Sequence, residues 1–273
     1  MKKNIIIFCA ILTTLSLTAF GVINLKDSKP DKLETFVIEN KENNTVYGPF
    51  TTKIEKKIFS DFIYDIGPRF SAIKKGDVDK ARYINAFFDK EQIQAIVSLK
   101  SVSIIIIIDD KRSDIRETGY SDELTDAQLK LLRSFDYSTN FLIKAEYQQK
   151  NKETGKLEDS YSTPHLTIVP EKQAEYEFGK NELMDYLKEN SKDARTKANV
   201  EADKLQPAKL FFTVTKNGTI ENVRLDRTSN YPIVDKAMIE LITKAPGTWK
   251  PAENSKGEKV NQELVVSFGL MGC

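Results

Sequence analysis

Two cysteines and one histidine are all the thiol and imidazole that 273 residues contain. Cys9 lies inside an apolar leader and Cys273 is the last residue, so loss of the leader leaves one thiol and no intramolecular disulfide. The fold then rests on its hydrophobic core. With His165 as the sole imidazole, a zinc site would lack its usual His and Cys ligands, and neither a metal nor a cofactor is expected. The sequence also lacks a G-x-S-x-G elbow that would give His165 a nucleophile to serve, and it lacks a G-x-x-x-x-G-K-[ST] phosphate loop. Asp109-Asp110 therefore reads as the solvated end of a strand, His165 as a hairpin residue, and Gly67-Pro68-Arg69 as a turn. Charge of one sign is missing too: 41 Lys+Arg face 40 Asp+Glu, for a formal net charge of +1. That balance excludes a nucleic-acid binder driven by phosphate neutralisation. No catalytic residue can be named, so the chain is read as a non-enzyme. An unrecognised enzyme in its N-terminal half remains the alternative.

The first residues, "MKKNIIIFCAILTTLSLTAFG", place two lysines before an apolar run and end in small residues. This is the layout of a secretory signal over residues 1–21, cut after Ala19 or Gly21. An uncleaved anchor is the alternative, because a run of roughly 18 residues falls just short of the ~20 that span a bilayer. Residues 22–44 are polar and lysine-rich and read as a linker. A linker of that length reaches roughly 25–30 Å as a flexible coil, a short span for a protein that must cross a periplasm.

Residues 45–172 read as an N-terminal α+β domain. "IFSDFIYDIGPRFSAI" is extended chain broken at Gly67-Pro68, and "KKGDVDKARYINAFFDKEQIQAI" predicts a helix capped by Asp77 with Val78, Ala81, Ile84 and Phe88 on one face. The five isoleucines Ile104 to Ile108 predict a strand buried on both faces. Thr125 is placed to cap a second helix, and a hairpin turns at Gly155-Lys156.

Residues 175–273 read as a second domain with the order helix, strand, strand, helix, strand. "NELMDYLKEN" is an amphipathic helix, "SKDARTKANVEADK" a charged connector, and Asn217-Gly218 a strong hairpin signal. Pro232 opens the next helix and "VNQELVVSFGL" is a closing alternating strand. The only tryptophan, Trp249, stands between Pro246-Gly247 and Lys250-Pro251, where prolines forbid both helical and strand periods.

The stretch from Lys209 to Leu270 resembles the TonB C-terminal domain as it occurs in Bacteroidota-type proteins. The resemblance is carried by Phe212, Gly218, Val223, Arg227, Asp235, Ala237, Pro246, Trp249, Pro251, Ala252, Gly257 and Phe268. Gly247-Thr248 lengthens the usual Pro-x-Trp spacing by one residue, and the family's Tyr-Pro signature before the first strand is absent. The resemblance implies a three-stranded antiparallel sheet with helices on one face, in which Trp249, Gly218 and Pro251 are structural. It also implies a cell-envelope protein that binds a protein or peptide, such as an outer-membrane receptor, by strand addition. The binding residues are then Val260, Asn261, Gln262, Glu263, Leu264, Val265 and Val266, on a last strand expected at the sheet edge. Location in the periplasm follows if the leader is cleaved. A membrane-anchored energy transducer for outer-membrane transport follows if it is not, although the leader lacks the family's membrane-embedded histidine.

Overall fold

The computed structural model describes residues 62–270, so the leader, the linker, residues 45–61 and Cys273 lie outside the described residues. The extended chain around Gly67-Pro68 forms strands β1 (Ile63–Gly67) and β2 (Ser71–Lys74). These enter two different sheets. Proline lacks an N–H and fixes φ, so the first ladder stops at Pro68 and the chain turns away.

The helix expected over residues 75–96 is interrupted. It consists of α1 (Lys75–Lys80), a single 3-10 turn at Ile84–Ala86, and α2 (Lys90–Ala95). The cause is local competition for hydrogen bonds. The Ile84 N–H donates to the Asp122 carbonyl (2.9 Å) and the Arg82 carbonyl accepts from the Leu124 N–H (2.8 Å), while Asp89 opens α2 with a capping box. Asp77 therefore sits inside the first turn and Lys74 takes the N-cap position. Val78, Ala81, Ile84 and Phe88 are buried nonetheless.

The next elements are β3 (Ser98–Ile108), β4 (Lys111–Gly119), α3 (Asp126–Arg133), β5 (Asn140–Lys150), β6 (Leu157–Ser162) and β7 (His165–Val169). Their sheet runs β2-β7-β5-β3-β4, with β6 also on β5, and only β2 and β7 are parallel. The isoleucine run is buried only in part. Ile104 and Ile105 are buried, but Ile108 is 48% exposed because β3 runs out into its hairpin turn with β4. Thr125 caps α3 in a capping box, and the Gln128 amide reaches on to the Val102 carbonyl (2.9 Å), fixing α3 to the sheet. A first hydrophobic core, including Ile104, Leu132, Phe141 and Ile168, lies beneath.

A second core belongs to the C-terminal half. The chain continues as β8 (Glu175–Tyr176), α4 (Lys180–Asn190), α5 (Lys192–Ala198), β9 (Ala208–Val214), β10 (Ile220–Arg227) and α6 (Pro232–Thr243). It ends with β11 (Trp249–Lys250), β12 (Ala252–Glu253), β13 (Lys259–Val260) and β14 (Gln262–Gly269). The expected charged connector is in large part helical. In α5 the Arg195 guanidinium lies over the Phe62 ring (5.3 Å) and donates to the Lys188 carbonyl (2.9 Å), so a charged residue serves packing.

The expected strands β9, β10 and β14 are present, but the sheet has four strands, in the order β1-β14-β9-β10. Its inner face presents Leu210, Phe212, Val214, Leu264, Val266 and Phe268 to Leu183 and Leu187 of α4 and to Val234, Met238 and Ile242 of α6. The architecture is α+β throughout. Among the described residues no helix is long and apolar enough to cross a membrane.

Candidate peptide-binding edge and groove

Alternation puts Leu264, Val266 and Phe268 of β14 on the core face, and Gln262 falls in the same phase. Its side chain is 1% exposed. The amide oxygen accepts the Ala174 N–H (2.7 Å) and the amide nitrogen donates to the Gln173 Oε1 (3.1 Å), which compensates burial of a polar group. Gln262 is thus a structural tie.

The residues expected to bind a partner lie close together but not at a vacant edge. Val260 ends β13, paired with Ala252, and the Asn261 carboxamide accepts the Lys216 N–H (2.8 Å). Gln262, Glu263, Leu264, Val265 and Val266 are on β14, whose inner neighbour is β9. On the other side β1 pairs antiparallel, with Gly67 opposite Val265, Ile66 opposite Val266, Asp65 opposite Ser267 and Tyr64 opposite Phe268. The last strand is therefore internal over this length. Ahead of β1, the Glu263 N–H donates to the Ser138 hydroxyl (3.1 Å), a single side-chain contact in place of a strand. The physical reason for the departure is that Phe62 and Ile66 are apolar at period two and complete the second core from the sheet margin.

Side chains hold β1 in addition to its ladder and its two core residues. Asp65 is exposed and pairs with Lys180 (2.6 Å). The Tyr64 hydroxyl shares a hydrogen bond with the Ser191 hydroxyl (2.6 Å). Burial raises the Tyr64 pKa, while the Ser191 hydrogen bond and the Arg195 charge pull the other way.

Where β1 ends, a groove of about 530 Å³ opens, lined by Ile66, Pro68, Tyr176, Leu183, Trp249 and Leu264 among others. Its wall explains the proline-framed tryptophan. Trp249 pairs with Tyr176 in the β8-β11 ladder, and its ring lies 5.4 Å from Tyr176 and 5.5 Å from Phe212. The inserted Gly247-Thr248 is absorbed by this small hairpin. Gly247 takes φ 79°, and both the N–H and the hydroxyl of Thr248 donate to Glu177 (3.0 Å each). The indole N–H of Trp249 is buried with no acceptor among the described residues.

Gly218, Trp249 and Pro251 meet at one point. Gly218 has φ 79°, and a Cβ there would collide with the Trp249 carbonyl oxygen and touch the Pro251 ring. Asp235, at the start of α6, is buried and accepts from the Thr228 hydroxyl (2.5 Å), the Ser229 N–H (3.0 Å) and the Ser229 hydroxyl (2.7 Å), so it fixes the turn from β10 into the helix.

The model of the family described as Gram-negative bacterial TonB protein C-terminal matches residues 207–270. This segment is a TonB C-terminal domain. Comparison with curated proteins and with solved structures finds no match. The family's description ties it to the TonB protein of Gram-negative bacteria. In this chain the matched segment supplies β9, β10, α6 and β14, while β1 and α4, from outside it, complete the sheet and its helical cover. Sequence reasoning missed β1 as a member of this sheet. Its signal was present only as an extended apolar segment without a stated partner.

Proposed function

We propose that the chain is an exported, non-enzymatic cell-envelope protein whose TonB C-terminal domain binds a protein or peptide partner by strand addition along Val260 to Val266. The observation that carries this reading is the pairing of β1 on β14. A short extended segment, far away in sequence, is held on that edge through its main chain, so the edge has the geometry that strand addition requires. The groove beyond Gly67 gives an incoming strand room next to Leu264. A partner lying along Val260 to Val266 replaces β1 at Val265 and Val266 and Ser138 at Glu263. Side chains at alternate positions then set specificity.

Photo-cross-linking tests this. A photoreactive residue at Glu263 should give an adduct with another envelope protein, and one at Lys236, exposed on α6, should not. Matching adduct patterns at the two positions would defeat the strand-addition reading. Export is tested by the mass of the mature chain: a start near Phe20 or Val22 means a cleaved leader, and retention of Met1 means an anchored form.

A further inference from the structure

A second site lies where the β3-β4 turn meets the outer surface of the C-terminal sheet. Asp109 and Asp110 form that turn with φ 48° and 62°, a pair of left-handed residues that swings the Asp110 carboxylate toward β10. Asp110 is bonded by Arg69 and by Arg227 (3.1 Å), and Arg69 also reaches Asp226 (3.4 Å). A cavity of about 220 Å³ beside them is lined by Phe70, Asp110, Arg112, His165, Lys209 and Arg227, with Ile107. The Lys209 ammonium rests 5.9 Å from the Phe70 ring centre. Neither Lys209 nor Arg112 has a hydrogen-bond or ion-pair partner among the described residues, although both line the cavity.

The charge there does not balance. Among the described residues, Arg69, Arg112, Lys209 and Arg227 face only Asp110 and Asp226. Burial, with Arg69 and Arg227 adding to it, pushes the Lys209 pKa down, and Asp226 opposes this only in part. The His165 Nδ1–H donates to the Thr163 carbonyl (2.8 Å), which leaves Nε2 as its remaining polar atom. Guanidinium forks beside an ammonium are the donor set that binds phosphate oxygens. The cavity is smaller than the roughly 300–1,000 Å³ of a site for a whole drug-sized ligand, so it fits one phosphate group.

We infer that this cavity binds a phosphate group, free or at the end of a larger molecule, with Lys209, Arg112 and Arg227 as its ligands. Its charge balances the excess cations, and neither the strand edge nor the Trp249 groove is involved.

The test uses the full chain and two probes, inorganic phosphate and glycerol phosphate, each compared with chloride at equal ionic strength. Either probe should raise Tm and give a saturable calorimetric signal. Lys209→Met should weaken binding about tenfold or more, while raising Tm in chloride by removing an uncompensated cation. Arg112→Gln, at an exposed residue, should weaken binding without a stability change and covers the case in which the first variant folds poorly. Binding of both probes identifies free phosphate as sufficient, and binding of glycerol phosphate alone identifies a phosphate monoester. Absence of a Tm shift and of heat with both probes, or unchanged affinity in both variants, would overturn the assignment.

Discussion

Trp249 is where the physical argument is sharpest. Its ring packs on Tyr176 and Phe212 within the second core, so Trp249→Ala should cost about 3–5 kcal/mol, read as a loss of Tm or of denaturant midpoint. An unchanged melt would place the ring outside the core. Gly218→Ala should cost about 1–3 kcal/mol, because a side chain at φ 79° is strained and collides with the Trp249 carbonyl. Tyr64 gives a pH-dependent case. Its folded pKa is raised, so its contribution is fully present below the unfolded value of about 10 and is lost as pH rises through the folded value. Tyr64→Phe should lower stability at neutral pH by about 0.5–1.5 kcal/mol and flatten its decline in alkaline solution. The break in regular structure around Trp249 was legible in the prolines on both sides, although they did not exclude the two-residue strand Trp249–Lys250. The inward turn of Gln262 was not, since a glutamine is read as solvent-facing until the Ala174 N–H that it satisfies comes into view.

Among the elements, β1 has the largest consequence. Period two announces a strand but does not name its partner, and the residues that β1 pairs with lie at the far end of the chain. The hairpin at Asn217-Gly218, the helix opened by Pro232 and the closing strand were all legible, because each depends on neighbours within a few residues. The broken helix before β3 and the helical connector α5 were not, because distant backbone groups and an aromatic ring decided them. The Glu263 N–H points away from β9, and alternation along β14 turns Val265 and Ser267 the same way, toward β1. Asp65→Pro removes a ladder donor from β1. Hydrogen exchange should then quicken at Val265 and Ser267 while Leu264 and Val266, bonded to β9, stay slow. Equal acceleration at all four would mean that β1 is integral to the sheet and not an exchangeable occupant.

At the scale of the molecule, two hydrophobic cores are formed by the described residues, and the first strand among them belongs to the second core. The TonB C-terminal domain was legible because its residues follow a family pattern. The sheet edge proposed for binding was misjudged, because topology and not pattern decides which strand lies outermost. The central claim is that a partner reaches Val260 to Val266 by taking the place of β1. Asp65 and Ser267 lie directly opposite each other across β1 and β14, a spacing of about 5.5 Å that a disulfide can bridge. In a chain with Cys9 and Cys273 changed to serine, Asp65→Cys with Ser267→Cys locks β1 in place under oxidation and frees it under reduction. Photo-cross-linking from Glu263 in isolated envelopes should give the partner adduct with the reduced chain, lose it with the oxidised chain and regain it on adding reductant. An adduct formed equally well by the oxidised chain would contradict the claim.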